Sequence, residues 1–193
     1  MDLALPTGPL AEASLALART TEAAPIADHS VRSFLFARLL AVREGSVEDD
    51  AYDEGLLFAA CVLHDLGLGT QAAGRARFEV EGADLAAAVL TEHGVPAADV
   101  DRVWEAIALH ACVGIADRRG LLTYLTHQGV FLDIGRVTVL EAAAVAPVHA
   151  AYPRPAGDTS VRDAIIAHAS RSEGAAPPFS ISAELLRQRR AGA

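Results

Sequence analysis

An adjacent His and Asp, His64-Asp65, close a strongly apolar stretch and precede Leu66-Gly67-Leu68-Gly69. Side by side, these two residues offer one cation an imidazole nitrogen and a carboxylate oxygen. Leaving both without partners at the end of an apolar helix is costly, so the pair demands an explanation. His29 lies upstream and Asp133 downstream, each in a segment whose spacing predicts a helix. Two His and two Asp form a mixed nitrogen and oxygen set suited to a borderline divalent ion, Zn first, with Fe or Mn as alternatives. Taken singly, His29 also reads as a helix-start residue and Asp133 as a helix cap. The His-Asp pair carries the weight.

The elements that must position these residues are helical. A lead containing Pro6 and Pro9 precedes a short helix over Leu10–Thr21. Asp28 is an expected N-cap for a helix whose apolar face runs Val31, Phe34, Leu35 and Leu39, ended by Gly45. Asp49, Asp50 and Asp53 place negative charge at the start of the next helix, which carries Leu56, Leu57, Ala60 and Leu63 and stops at Gly67. Further helices are expected over about Val80–His93 and from Asp99 or Ala98 through Val103, Ile107 and His110 to near Gly114. Two more cover roughly 121–129 and 131–150, and another runs over Asp158–Ser170. A last short one spans Ser182–Arg190. No stretch alternates apolar and polar residues as a sheet requires, and no repeat is evident. The expectation is an all-α, compact orthogonal helical bundle, with a lead over residues 1–26, one domain over 27–180 and a tail over 181–193.

The whole composition narrows the function. The chain has 193 residues, 52% of them hydrophobic, with only six Phe, three Tyr and one Trp. That length suits one domain with a substantial core of small side chains. The formal charge is −9, Lys is absent, and the basic residues cluster only at Arg187–Arg190. Nucleic acid is therefore excluded as a partner, since a binder needs a basic face. No run approaches a membrane span and the first basic residue is Arg19. A cytoplasmic protein acting on a small molecule is expected. Cys61 and Cys112 form no paired motif and read as buried free thiols. The Ala- and Val-rich segment Val137–Val148 serves either as core or as a seam between copies, so a homo-oligomer stays open.

The order His, His-Asp, Asp on successive helices resembles the HD superfamily of metal-dependent hydrolases. The local context is similar to its cyanamide hydratase-like branch. The matching segments are His29-Ser30-Val31-Arg32-Ser33, Leu63-His64-Asp65-Leu66-Gly67, Arg77-Phe78-Glu79-Val80-Glu81-Gly82-Ala83, Ala106-Ile107-Ala108-Leu109-His110 and Tyr152-Pro153-Arg154. The resemblance implies one metal ion held by His29, His64, Asp65 and Asp133. A His at Phe78 or beside it would have implied a second metal; His93 comes too late and reads as a surface or C-cap residue. The sequence departs from the branch at Asp28, where Asn is frequent, and after His110, where Ala111-Cys112-Val113-Gly114 lacks polar groups.

Within that resemblance His110 is an active-site His that orients substrate or moves a proton, and Asp65 doubles as a proton carrier. Phe78, Glu79 and Arg32 are the expected substrate-binding residues. Glu79 also reads as a helix cap and Arg32 as the partner of a buried acid. His127, His149 and His168 read as structural or exposed. The implied chemistry is hydration of a small nitrile such as cyanamide by a water acidified on the metal. Hydrolysis of a phosphate ester, helped by Arg75, Arg77, Arg118 and Arg119, is the alternative. A non-catalytic module is the third reading, disfavoured because all four metal positions are intact.

Overall fold

The computed structural model describes residues 3–192, and among them every regular element is helical. Nine α-helices run in order: α1 (Pro9–Thr21), α2 (Ala24–Glu44), α3 (Glu54–Leu63), α4 (Phe78–Glu92), α5 (Ala97–Leu109), α6 (Leu121–Asp133), α7 (Ala142–Ala151), α8 (Ser160–Ala169) and α9 (Ile181–Ala191). Short 3-10 turns at Ser46–Glu48, Leu66–Leu68 and Ala116–Arg118 complete it. The all-α expectation holds. None of these helices is long and apolar enough to cross a membrane.

Local chemistry sets the boundaries, and in several places differently from expectation; α5, for one, ends at Leu109 rather than near Gly114. The second helix begins at Ala24, a turn before Asp28, so Asp28 is not its N-cap. Pro25 explains this: its fixed φ suits the first turn, and its missing N–H is one the first turn leaves unpaired anyway. Gly45 ends the helix as expected, in the left-handed conformation (φ 74°), with its N–H on the Ala41 and Val42 carbonyls. Asp53 caps α3 by accepting from the Leu56 N–H at 2.9 Å. That helix stops at Leu63, so His64 and Asp65 sit at its very end rather than inside it. The expected break near Gly129 does not occur. Helix α6 runs through to Asp133, residues 134–141 are irregular, and α7 begins only at Ala142.

Gly129 is a contact rather than a breaker. A Cβ there would collide with the Ser33 carbonyl of α2, so glycine lets α6 and α2 cross at backbone distance. The consequence reaches the site. One turn beyond Gly129, Asp133 meets the residue one turn before Ser33, which is His29. Gly67 plays the same part elsewhere, since a Cβ there would strike the Phe78 carbonyl. The turn after Asp65 therefore lies directly against the start of α4, where the Phe78 ring meets that of His110. Helices α2 and α3 form the centre of the core: Val31, Phe34, Leu35 and Phe36 from α2 and Leu57 to Leu63 from α3 are all buried. The Phe34 and Phe58 rings meet edge to face at 4.9 Å.

Candidate metal centre

His29, His64 and Asp65 converge in the interior, at most 1% exposed each. The His29 ring lies 5.1 Å from the His64 ring. The Asp65 Oδ2 is 3.3 Å from His64 Nε2 and 3.8 Å from His29 Nε2. All three atoms are buried and have no hydrogen-bond partner. Three orphaned donors of this kind cost free energy unless something binds them, and a ligand atom from each lies within 4.8 Å of the others, close enough for one cation.

Both rings are held from behind. His29 Nδ1 lies 2.6 Å from Asp133 Oδ2; a carboxylate only accepts, so Nδ1 carries the proton and Nε2 keeps its lone pair. His64 Nδ1 donates to the Cys61 carbonyl at 2.7 Å, with the same result. A metal-binding imidazole has its other nitrogen tied in this way to a carboxylate or carbonyl. The donor set therefore fits a divalent ion. Burial alone would depress the His64 imidazole, but the Asp65 carboxylate and the Cys61 carbonyl hold it above its usual value. Burial would raise the Asp65 carboxyl, yet His64, then His29 and His110, hold it well below the usual carboxylate range.

Asp133 differs from expectation. The structure does not bring it into the donor triangle, because both its oxygens are taken. Oδ2 meets His29 Nδ1 and accepts from Arg32 Nη2 at 3.0 Å; Oδ1 accepts from Arg32 Nε at 2.6 Å. These bonds outweigh burial and hold its carboxyl down near pH 2, fully charged at neutrality. Asp133 thus orients His29 from the layer behind. Arg32, expected at the substrate, is spent on that carboxylate and on the Pro153 carbonyl, 3.3 Å from Nη1. The Tyr152-Pro153-Arg154 element closes the same knot, since Arg154 donates to the Asp133 backbone carbonyl.

The other candidate residues divide. His110 follows α5 and repeats the His64 device, its Nδ1 donating to the Ile107 carbonyl at 2.6 Å. Its ring stands 4.7 Å from His64 and 5.6 Å from Phe78, so both expected neighbours are present. Burial first, and His64 second, depress this imidazole to about 3, leaving it neutral. Glu79 is fully buried, accepts from Arg77 Nη2 at 2.6 Å and does not line the cavity beside the donors. Buried His127 donates to the His110 carbonyl, buried His168 to the Ala76 carbonyl, and His149 is exposed beside Phe36. Both cysteines are free, Cys61 buried and Cys112 only half-buried.

The donor triangle opens into a cavity of about 460 Å³. Its floor is His29, His64, Asp65, His110 and Phe78; Val130, Phe131, Ile134, Val161 and Ile165 wall it; Arg32, Arg136, Arg154 and Arg162 bring positive charge. The arginines anticipated for this role are elsewhere. Arg77 pairs with Glu79, Arg118 donates to the Gly114 carbonyl, Arg119 pairs with Glu105, and Arg75 does not line the cavity. Of the four that do, Arg32 and Arg154 carried a sequence signal, in the first-helix segment and the Tyr-Pro-Arg element; Arg136 and Arg162 carried none.

Glu22, which no sequence pattern singled out, is 8% exposed with neither carboxylate oxygen partnered. Burial, and secondarily the Asp65 charge, push its carboxyl up to about 9. A carboxyl whose folded pKa lies above its unfolded value costs stability progressively as pH rises through that interval. In chelator-treated protein Glu22→Gln is therefore expected to raise the melting temperature, by the equivalent of about 1–3 kcal/mol at pH 8, and to do little at pH 4.5. An equal gain at both pH values would show that the effect is not ionic.

Buried imidazoles and a carboxylate converging from successive helices define an all-α protein built around a His/Asp cluster that could hold a metal ion. More narrowly, the chain belongs to the HD domain family, which matches residues 26–188. Members of that family are commonly metal-dependent hydrolases. No curated protein matches the chain.

Proposed function

We propose that this chain is a metal-dependent phosphohydrolase acting on an organic phosphate. His29 Nε2, His64 Nε2 and Asp65 Oδ2 would hold the cation, with Asp133 and the Cys61 carbonyl fixing the two rings. When bound, a divalent ion supplies Lewis acidity there, toward a water and toward an oxygen of the bond to be broken.

The observation that carries the reading is the charge around the cavity. Four arginines line it in a chain of net charge −9, against Asp65, Asp133 and Asp158. Arg32 already neutralises Asp133, so the surplus is positive before any cation is added. Such groups are placed to draw in an anion and to stabilise charge on phosphoryl oxygens. His110 stays neutral near pH 7, and its fixed Nδ1–H leaves Nε2 as an acceptor. An imidazole with so low a pKa orients a water or a hydroxyl better than it takes a proton outright. Phe78 and Val130 keep the floor dry, which strengthens each of these interactions.

Hydration of cyanamide remains the second reading. Phe78, His110 and Asp65 on the floor are all buried, as a shielded three-heavy-atom substrate would need. The rest of the cavity argues the other way. A volume of 460 Å³ falls in the range that encloses a whole organic ligand, and cyanamide would leave most of it empty. One sample loaded with Zn, Mn or Fe should release phosphate from 4-nitrophenyl phosphate or a nucleoside monophosphate. Urea from cyanamide, with no phosphate from any ester, would transfer the site to the hydratase reading.

A further inference from the structure

The four cavity arginines are not equivalent. Arg32 and Arg154 are committed to Asp133 and the backbone around it. Arg136 and Arg162 are exposed, and neither side chain makes a hydrogen bond or close ion pair among the described residues, although the charge of Arg162 is felt by Asp163. Among the other exposed arginines some are paired, Arg119 with Glu105 and Arg187 with Glu184, and others, Arg19 and Arg43, are not; what sets Arg136 and Arg162 apart is that both line the cavity. Two exposed guanidinium-bearing side chains lining one cavity without a hydrogen-bonded partner are available to an anion.

Their positions are built rather than loose. Gly135, at φ 74°, turns the chain after α6, and the Arg136 N–H bonds back to the Phe131 carbonyl at 2.8 Å. Arg162 lies on α8 beside Val161 and one turn before Ile165, so charge and apolar surface share that helix face. Ile181 and Leu185, one turn apart on α9, extend the apolar surface. The adverse charge nearby is Asp158, whose carboxylate already accepts from the Ser160 N–H at 2.9 Å and the Ser160 hydroxyl at 2.5 Å. Asp163, the next acid on α8, is engaged by Thr159 and Arg189.

We propose that Arg136 and Arg162 form a second anion subsite at the mouth of the cavity. The substrate is then a phosphate ester of an apolar body that carries a distal anionic group. This rests on the phosphohydrolase reading for the reacting end and adds the recognition of the far end. The reacting ester sits on the floor, the body lies against Phe131, Val161, Ile165 and Leu185, and the distal anion meets both arginines. A rim of this kind sets which esters are taken, because charge-assisted hydrogen bonds to guanidinium are strong and directional.

The test is a matched pair of esters that differ in one charge, 4-carboxyphenyl phosphate and its neutral isostere 4-carbamoylphenyl phosphate. The metal-loaded protein should show a KM about tenfold lower for the carboxylate, a preference that shrinks with added salt. Arg136→Gln and Arg162→Gln should each erode that preference and together erase it. Calorimetric binding of the same two esters to the metal-free protein gives a readout independent of turnover. Phosphate release with equal KM for both esters would overturn the subsite and leave the phosphohydrolase reading standing. If no phosphate is released but the carboxylate still binds more tightly, and only while both arginines are present, the subsite holds and the reaction assignment fails. Equal binding of both esters with no turnover would overturn both.

Discussion

His64→Ala is expected to empty the metal centre while leaving the helices folded. The substitution removes one of three donors and one of the two supplied by the end of α3. The remaining His29 and Asp65 atoms, 3.8 Å apart, then offer a cation two donors. Loss of an outer-shell partner alone typically costs about 10–100-fold in metal affinity or activity, so loss of a donor should exceed the upper end of that range. Metal per chain and kcat/KM on the same preparation give the check, with His110→Ala as the contrast. His110 stands beside the donor triangle but outside it, so His110→Ala should retain the metal and lose turnover. Full metal content in His64→Ala would remove this residue from the site.

Arg32→Ala carries the largest expected effect on stability. Arg32 is 2% exposed and makes two bonds to a carboxylate that is itself 2% exposed. Truncation leaves Asp133 charged and uncompensated in the interior, with His29 as its last partner. Breaking a buried pair from one side costs about 3–5 kcal/mol. In a chain of this length that lowers the melting temperature by about 10 °C. The sign of the cause can be tested within the same series. Adding Asp133→Asn to Arg32→Ala removes the stranded charge and should recover part of the loss, where independent sites would add to it. A double variant no more stable than Arg32→Ala would show that packing of the guanidinium, not charge, carries the effect.

What could be read from the residues, and what could not, divides along local and non-local lines. His64-Asp65 announced itself because an apolar run ending in two polar groups is anomalous in any fold. Helix ends set by nearby atoms, such as the Asp53 cap and the Gly45 terminus, were legible too. The start of α2 was misplaced because Asp28 is a plausible cap, while Pro25 acts three residues earlier. The role of Asp133 was out of reach for a different reason. Whether its carboxylate faces a cation or an arginine depends on how closely α6 crosses α2, and Gly129 reads as a helix breaker until its contact with Ser33 is seen. Arg136 and Arg162 carry no motif; they matter because the chain from α6 and the face of α8 meet over one cavity. Glu22 is the same kind of case, an acid whose burial is decided by residues far along the chain.

The central claim, that His29, His64 and Asp65 hold one divalent ion, is tested most directly by elemental analysis of the purified protein before and after adding Zn, Mn or Fe. About one ion per chain, lost on chelation and in His64→Ala, is the expected result. A chain that carries no ion and takes none up, with its helices intact, would contradict the account at its root.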